Sequence, residues 1–290
     1  MSSHIFMQTI VNGLFTGGIY ALVAIGLTLI YGVMSILNFA HGEFLMLGMY
    51  VAYWTFTLLG LDPYLSIPIA AVLIFLVGAL IQRGLVQRVA DSHPLSQIIL
   101  LLGVSMLIMG LVQFFWTADP KMIHVPYETE VFVWQDLRFS IPRTVAFFTA
   151  MFSAMLLYLF LQFTRTGKAI RAVSQSKDGA LLMGIDVNFI YMLTFGIGAA
   201  VTAIGGVVLT PNYRMTPTFG QAFGVIAFVV VVLGTMGNFI GAFLGGLIIG
   251  VVEAFAGFYL GGDVKIIASM LVFIIILMFK PSGLFGGKNA

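Results

Sequence analysis

The sequence predicts an all-α, polytopic integral membrane protein with about eight to nine transmembrane helices and interrupted segments. Three observations carry that expectation. The first Lys or Arg is Arg83, and the only carboxylates ahead of it are Glu43 and Asp62, so the first 82 residues hold nothing suited to a water-facing surface. Hydrophobic residues make up 60% of the chain and charged residues 8%, against about 25% charged in an ordinary soluble domain. Mean hydropathy is +1.09. So few polar side chains cannot cover a water-soluble fold, and lipid must be the solvent.

The elements follow in order from the apolar runs. These lie at about 6–31, 41–60, 64–82, 96–117, 144–164, 189–210, 221–236, 239–260 and 264–280. The 6–31 run is long and the 221–236 run short, so nine runs need not be nine full crossings. Their longer polar connections are about 83–95, 118–143, 165–188 and 211–220. No stretch is polar and long enough for a separate soluble domain, so residues 1–290 read as one transmembrane domain. Met1-Ser2-Ser3-His4 lacks the positive segment of a cleaved signal peptide, and the first run is expected to be a retained span.

Charge sets the orientation. If 165–188 faces the cytoplasm, nine crossings put Arg83, Arg88, Arg165, Lys168, Arg171, Lys177, Lys280 and Lys288 on that side. Lys121, Arg138, Arg143, Arg214 and Lys265 fall opposite. Eight against five is the bias that the positive-inside rule requires. The N-terminus is then outside and the C-terminus inside.

Several enzyme classes are excluded by inspection. There is no HExxH, no GxSxG and no cysteine. Gly167-Lys168 and Gly287-Lys288 fail as phosphate loops, since neither has the upstream Gly nor a following Ser or Thr. Any ATP used must be hydrolysed by another subunit. The net charge of +2 forms no basic block, which argues against a nucleic-acid partner.

Candidate residues for transport interrupt the apolar runs. Gly32-Val33-Met34 with Asn38-Phe39 and Gly42 echoes Gly234-Thr235-Met236 with Asn238-Phe239 and Gly241, offset by two residues. Matched interruptions point to a transporter's substrate path, the alternative being two short cytoplasmic turns. Asn38 is suited to capping the second run, which leaves His41 and Glu43 in its first turn and Gly42 free to admit another backbone. At membrane depth an ionised Glu43 would cost roughly 2.5–3.5 kcal/mol and would need a partner or water. Glu253, inside the 239–260 run, raises the same question, with pairing to Lys265 as the alternative to a path role. Gly237, Gly241 and Gly245 are four apart, as are Gly246, Gly250 and Ala254, the spacing that lets helices approach closely in lipid. Trp54, Trp116 and Trp134 lie near span ends and fit interfacial anchoring.

The loop 165–188 mixes charge with aliphatics at helical spacing. Ser174 or Ser176 is a good N-cap, Asp178 complements a helix start, and Gly184 suits a left-handed stop. The expected product is a short amphipathic helix parallel to the membrane, with Leu181, Leu182 and Ile185 available to a partner.

Asp178-Gly179-Ala180, three residues, then Gly184 resembles the acidic-small-Ala-x-x-x-Gly loop by which ABC importer permeases dock on their ATPases. Residues 166–187 as a whole, Gly26–Phe44, and the terminal Lys280-Pro281-Ser282-Gly283-Leu284-Phe285-Gly286 are similar to segments of the branched-chain amino-acid permease family, most closely its H-type subunit. The resemblance implies an inner-membrane permease subunit of an ATP-driven importer, with Arg165, Gly167, Arg171, Ser176, Lys177, Asp178, Ala180, Leu181 and Gly184 in the docking element. It implies a homologous M-type permease, two ABC ATPases that hold ATP and Mg, and a periplasmic binding protein that meets Arg138, Arg143 and Arg214. This chain itself would bind no cofactor. Urea and short-chain amides are the alternative cargo within the family. A secondary transporter or channel needing no ATPase is the rival class, and it would need an ion relay built from Glu253, Glu43 and His41.

Overall fold

The computed structural model describes residues 3–134 and 136–286 and is mainly helical. Met1, Ser2, Gly287 and Lys288 lie outside the described residues. Each apolar run becomes a helix: α1 Ser3–Met34, α2 His41–Leu59, α3 Ile67–Gly84, α4 Pro94–Trp116 and α5 Ile141–Phe163. Two short helices follow, α6 Arg165–Gln175 and α7 Lys177–Leu182. Then come α8 Val187–Leu209, α9 Phe219–Leu233, α10 Phe239–Tyr259 and α11 Lys265–Phe279. Six of the described helices, α1, α3, α4, α5, α8 and α10, are long and apolar enough to cross a membrane. α9 and α11 are apolar but have 15 residues each, about 22 Å at helical rise against a hydrocarbon core of ~30 Å.

The all-helical expectation needs one correction. Val131–Trp134 (β1) and Leu137–Ser140 (β2) form an antiparallel hairpin inside the 118–143 connection. Val131, Phe132, Val133 and Trp134 are β-branched or aromatic, residues that fit a pleated strand, and Asp136 takes the left-handed turn conformation with φ 69°. Trp134 therefore sits on an exposed strand rather than at a helix end. Trp54 and Trp116 do pack together near the ends of α2 and α4, with Tyr50 stacked on Trp116.

Polar caps mark the helix starts. Thr164, Ser176, Asp186 and Asn238 accept the backbone N–H of Gly167, Gly179, Phe189 and Gly241, which closes the open first turns of α6, α7, α8 and α10. Asn38 differs from expectation. Ala40 is the N-cap residue of α2 and provides no side-chain cap, while Asn38 accepts from the Ala40 N–H at 3.0 Å in a local turn before the helix.

α1 is the centre of the bundle, with 89% of its apolar window buried against 28% for each of α3, α4 and α5. Glycine allows that density. Gly246 and Gly250 meet Ala21 and Gly17 of α1, whereas Gly241 and Gly245 meet Gly234 and Val230, at the end of α9. The two glycine ladders of α10 thus serve two different neighbours in the same chain. Gly237 precedes α10, holds φ 81°, and touches Gly32 of α1.

Loop contacts sort to two ends. One set joins Gln8 to Arg138, Tyr127 to Asp62, and Lys121 to Met215. The other joins Lys177 to Asp91, Thr235 to Ser282, and Leu284 to Leu233. We label these ends outer and inner, following the charge bias.

Candidate functional site

The segment Asn38–Glu43 lies at membrane depth. His41 Nε2 is 2.9 Å from the Val23 carbonyl and 2.8 Å from Thr202 Oγ1, and Ser105 Oγ donates to Glu43 at 2.9 Å. Val23, Thr202 and Ser105 are interior residues of α1, α8 and α4, well away from the helix ends. The six residues 35–40 therefore carry the chain from the inner end of α1 back to the level of Val23. That climb is about 16 Å at helical rise, within the ~20 Å reach of six extended residues.

Non-helical backbone at this depth is tolerated where protein covers it, and Ile36, Asn38 and Ala40 are buried. Ser35 takes φ 54° to turn the chain, and its N–H donates to Tyr31 at 2.7 Å. α9 also begins at this level, because Gly42 and Gly220 touch backbone to backbone. Two helix starts thus meet inside the membrane.

This cluster is sealed. Asn38, His41 and Glu43 are at most 1% exposed. The Val23 carbonyl can only accept, and the Thr202 hydroxyl donates to Gly198 at 2.8 Å, so His41 Nε2 carries the proton that both share. Asn38 Nδ2, His41 Nδ1 and Glu43 Oε2 have no hydrogen-bond partner among the described residues.

Glu253 sits differently. Its Oε2 accepts from the Tyr20 hydroxyl at 2.6 Å and its Oε1 from Ser269 Oγ at 2.8 Å. The expected alternative, pairing with Lys265, is not what forms: among the described residues no cation is ion-paired to Glu253. Lys265 instead lays its aliphatic stem against Gly257. Glu253 lines a cavity of about 470 Å³ between the outer parts of α1, α9, α10 and α11. Asn12, Thr16 and Tyr20 supply its polar wall from α1, and Arg143 and Lys265, at the outer starts of α5 and α11, complete it.

At the inner end, the 165–188 loop forms two helices rather than one. Ser176, not Ser174, is the joint, where its Oγ accepts from Gly179 at 3.0 Å. Gly184 has φ 77°, and the Gly184 and Ile185 N–H groups return to Leu181 and Ala180, closing the end of α7. Ala180 is buried within the chain, so it does not face a partner. Leu182 and Met183 are 89% and 81% exposed, and Leu181 is exposed beside them. Ile185 is partly buried against the core. Gly167 is also internal, since α6 there packs on the Phe160–Leu161 backbone of α5.

Arg165, Arg171 and Asp178 are exposed. Lys177 Nζ meets Asp91 at 2.6 Å, and that hydrogen bond raises the lysine above its ordinary pKa. α7 is thereby tied to the connection between α3 and α4.

The structure separates residues that sequence reading grouped together. Asn38, His41 and Glu43 form one buried cluster, Glu253 belongs to the outer cavity, and Asn238 caps α10 at the inner end. The two echoing interruptions are therefore unlike, one a re-entrant segment and the other an end turn. Sequence reading missed Tyr20, Ser269, Ser105 and Thr202. A signal existed for the first, since Thr9, Asn12, Thr16 and Tyr20 recur at three- or four-residue spacing along one face of an apolar helix.

A re-entrant segment beside the central helix, a polar cavity at the outer end and a short exposed helix at the inner end fit a multi-pass membrane protein of transporter type. Residues 9–279 match the family described as "Branched-chain amino acid transport system / permease component", and the chain belongs to it. It is a membrane permease component of such a system, and a component works with partner subunits. It is 33% identical to the high-affinity branched-chain amino acid transport system permease protein BraD of Pseudomonas aeruginosa, covering 97% of this chain and 96% of that one. The LivH permease protein of Escherichia coli K12 is 33% identical over the same shares. A probable LivH of Methanocaldococcus jannaschii is 28% identical, covering 91% and 88%. Among solved structures, PsaBC from Streptococcus pneumoniae in complex with Fab superposes with a TM-score of 0.51 at 15% identity, covering 94% of this chain and 92% of that one, a likeness of fold.

Proposed function

We propose that the chain is the H-type transmembrane subunit of an ATP-driven ABC importer that carries branched-chain or related aliphatic amino acids across the bacterial inner membrane. The whole chain acts as one permease domain, crossing nine times with its N-terminus outside. Its partners are a homologous M-type permease, two ATPases that hold ATP and Mg, and a periplasmic binding protein that delivers cargo at the outer end. The names of its relatives support the cargo. Helix α7 carries the docking assignment: it is capped at Ser176, stopped at Gly184, buried through Ala180, and presents Leu181, Leu182 and Met183 outward.

An apolar edge on a six-residue helix suits insertion into a groove of the ATPase, and the Lys177–Asp91 contact passes its motion to α3 and α4. The break at 35–40 and the sealed His41–Glu43 cluster act as the pivot of alternating access, and Glu253 lies on the path. The sealed cluster and Glu253 sit on different partners with no chain of hydrogen bonds between them among those described, which disfavours an ion relay.

The test is reconstitution. Complexes captured through this chain should contain both ATPases and a second permease, and leucine uptake in proteoliposomes should require ATP. Leu182→Asp should lower ATPase retention and uptake at least about tenfold, the scale of one lost anchoring contact. Uptake driven by an ion gradient with no ATPase present would sink the reading.

A further inference from the structure

Glu253 is a carboxylate with two hydroxyl donors and, among the described residues, no paired cation, set about 9 Å below the outer end of α10 at helical rise. A carboxylate in such a place is stabilised when a cation joins it, because the surrounding helices are apolar and screen charge weakly. Tyr20 and Ser269 both donate to it, so they hold its oxygens in fixed positions while leaving each oxygen further lone pairs. The cavity that it faces has room for a small molecule at about 470 Å³. Asn12 and Thr16 offer further polar atoms on the same wall, and Phe223 and Ile226 give it an apolar side. Arg143 and Lys265 sit at its outer edge. Among the described residues, one anion at depth and two cations at the edge match a zwitterion that enters ammonium first.

We propose that this cavity is a binding site for the α-ammonium group of an aliphatic amino acid, held on Glu253, with the ligand's carboxylate toward Arg143 and Lys265. The inference rests on the reading of this chain as an amino-acid permease and adds that the permease recognises the amino group itself. Such a site rejects neutral urea and amides, since these bring no cation to Glu253.

The test titrates the intact detergent-purified importer, permeases with ATPases and no binding protein, with leucine, leucinamide and N-acetyl-leucine by calorimetry. Leucine and leucinamide carry the ammonium group, and N-acetyl-leucine lacks it. The native complex should bind N-acetyl-leucine at least about tenfold more weakly than leucine, the factor that one charge-assisted hydrogen bond supplies. Glu253→Gln should remove that preference, and Glu253→Asp should keep part of it. Equal binding of leucine and N-acetyl-leucine by the native complex, or no binding of any of the three, overturns the proposal. A native preference retained in Glu253→Gln also overturns it. The native ligand series decides the matter even where a variant fails to assemble. The underlying reading fails in a different way: proteoliposomes with binding protein that import urea and no leucine would refute the cargo, whereas leucine import without ammonium preference refutes only this site.

Discussion

Glu43 and Glu253 are both buried carboxylates in a lipid-embedded bundle, yet their surroundings oppose each other. Glu253 has both oxygens held by hydroxyls and faces a cavity. Glu43 has one oxygen held by Ser105, the other without a partner, and sits where two helix starts close together. The contrast teaches that burial alone does not mark a ligand site. What matters is whether satisfied, fixed oxygens border space that a ligand can enter. A sealed carboxylate acts on the protein, and a carboxylate in a cavity can act on cargo.

The largest way to break the comparison is to open the seal. Gly42→Leu should abolish assembly, because even a Cβ at Gly42 would overlap the Gly220 carbonyl oxygen. Backbone cannot yield there as a flexible side chain would. The measurement is the yield of monodisperse complex on size exclusion, and near-native yield would show that the two helix starts are not in contact.

Access comes next. The chain has no cysteine, so single substitutions report cleanly. Ala222→Cys, in the cavity wall, should react with a small water-soluble thiol reagent at least about tenfold faster than Ser105→Cys beside Glu43, since only an accessible thiolate reacts. Equal rates would erase the distinction between open and sealed.

Charge removal should then divide the two carboxylates by function. Glu253→Gln is expected to raise the KM for leucine uptake about tenfold while leaving the thermal midpoint near native. Glu43→Met should leave KM unchanged and hold or raise the thermal midpoint, because an apolar side chain of similar volume often replaces a buried ionic group without loss. The reversed pattern would make the sealed cluster the cargo site.

The smallest effect belongs to the exposed contact at the inner end. Asp91→Asn should leave assembly and thermal midpoint within scatter, since exposed ion pairs contribute little to stability. It should slow uptake modestly, with ATPase activity retained, if α7 drives α3 and α4 through Lys177. Unchanged uptake would leave that contact as surface decoration.

Residue pattern by itself determined the solvent, the helices and the family. Nine apolar runs became nine helices among the described residues because a chain in lipid must satisfy its backbone within each segment, and hydropathy reports that directly. The stop at Gly184 was legible, since caps are local chemistry within four residues, whereas the start was narrowed only to Ser174 or Ser176 and the structure chose Ser176. The hairpin at 131–140 was missed because its eight strand residues lie in a connection read for charge and for Trp134 as an anchor, not for strand pattern.

Tertiary structure alone decided depth and company. Nothing in Asn38–Glu43 states that the six non-helical residues 35–40 climb back into the membrane. That depends on Gly42 meeting Gly220, nearly 180 positions away in the chain. The ammonium-sized opportunity at Glu253 likewise needs Tyr20 from α1 and Ser269 from α11 to converge on α10. Local sequence sets which segments are helices, but which helix faces touch is settled by packing across long separations, and there the fate of each buried charge is decided.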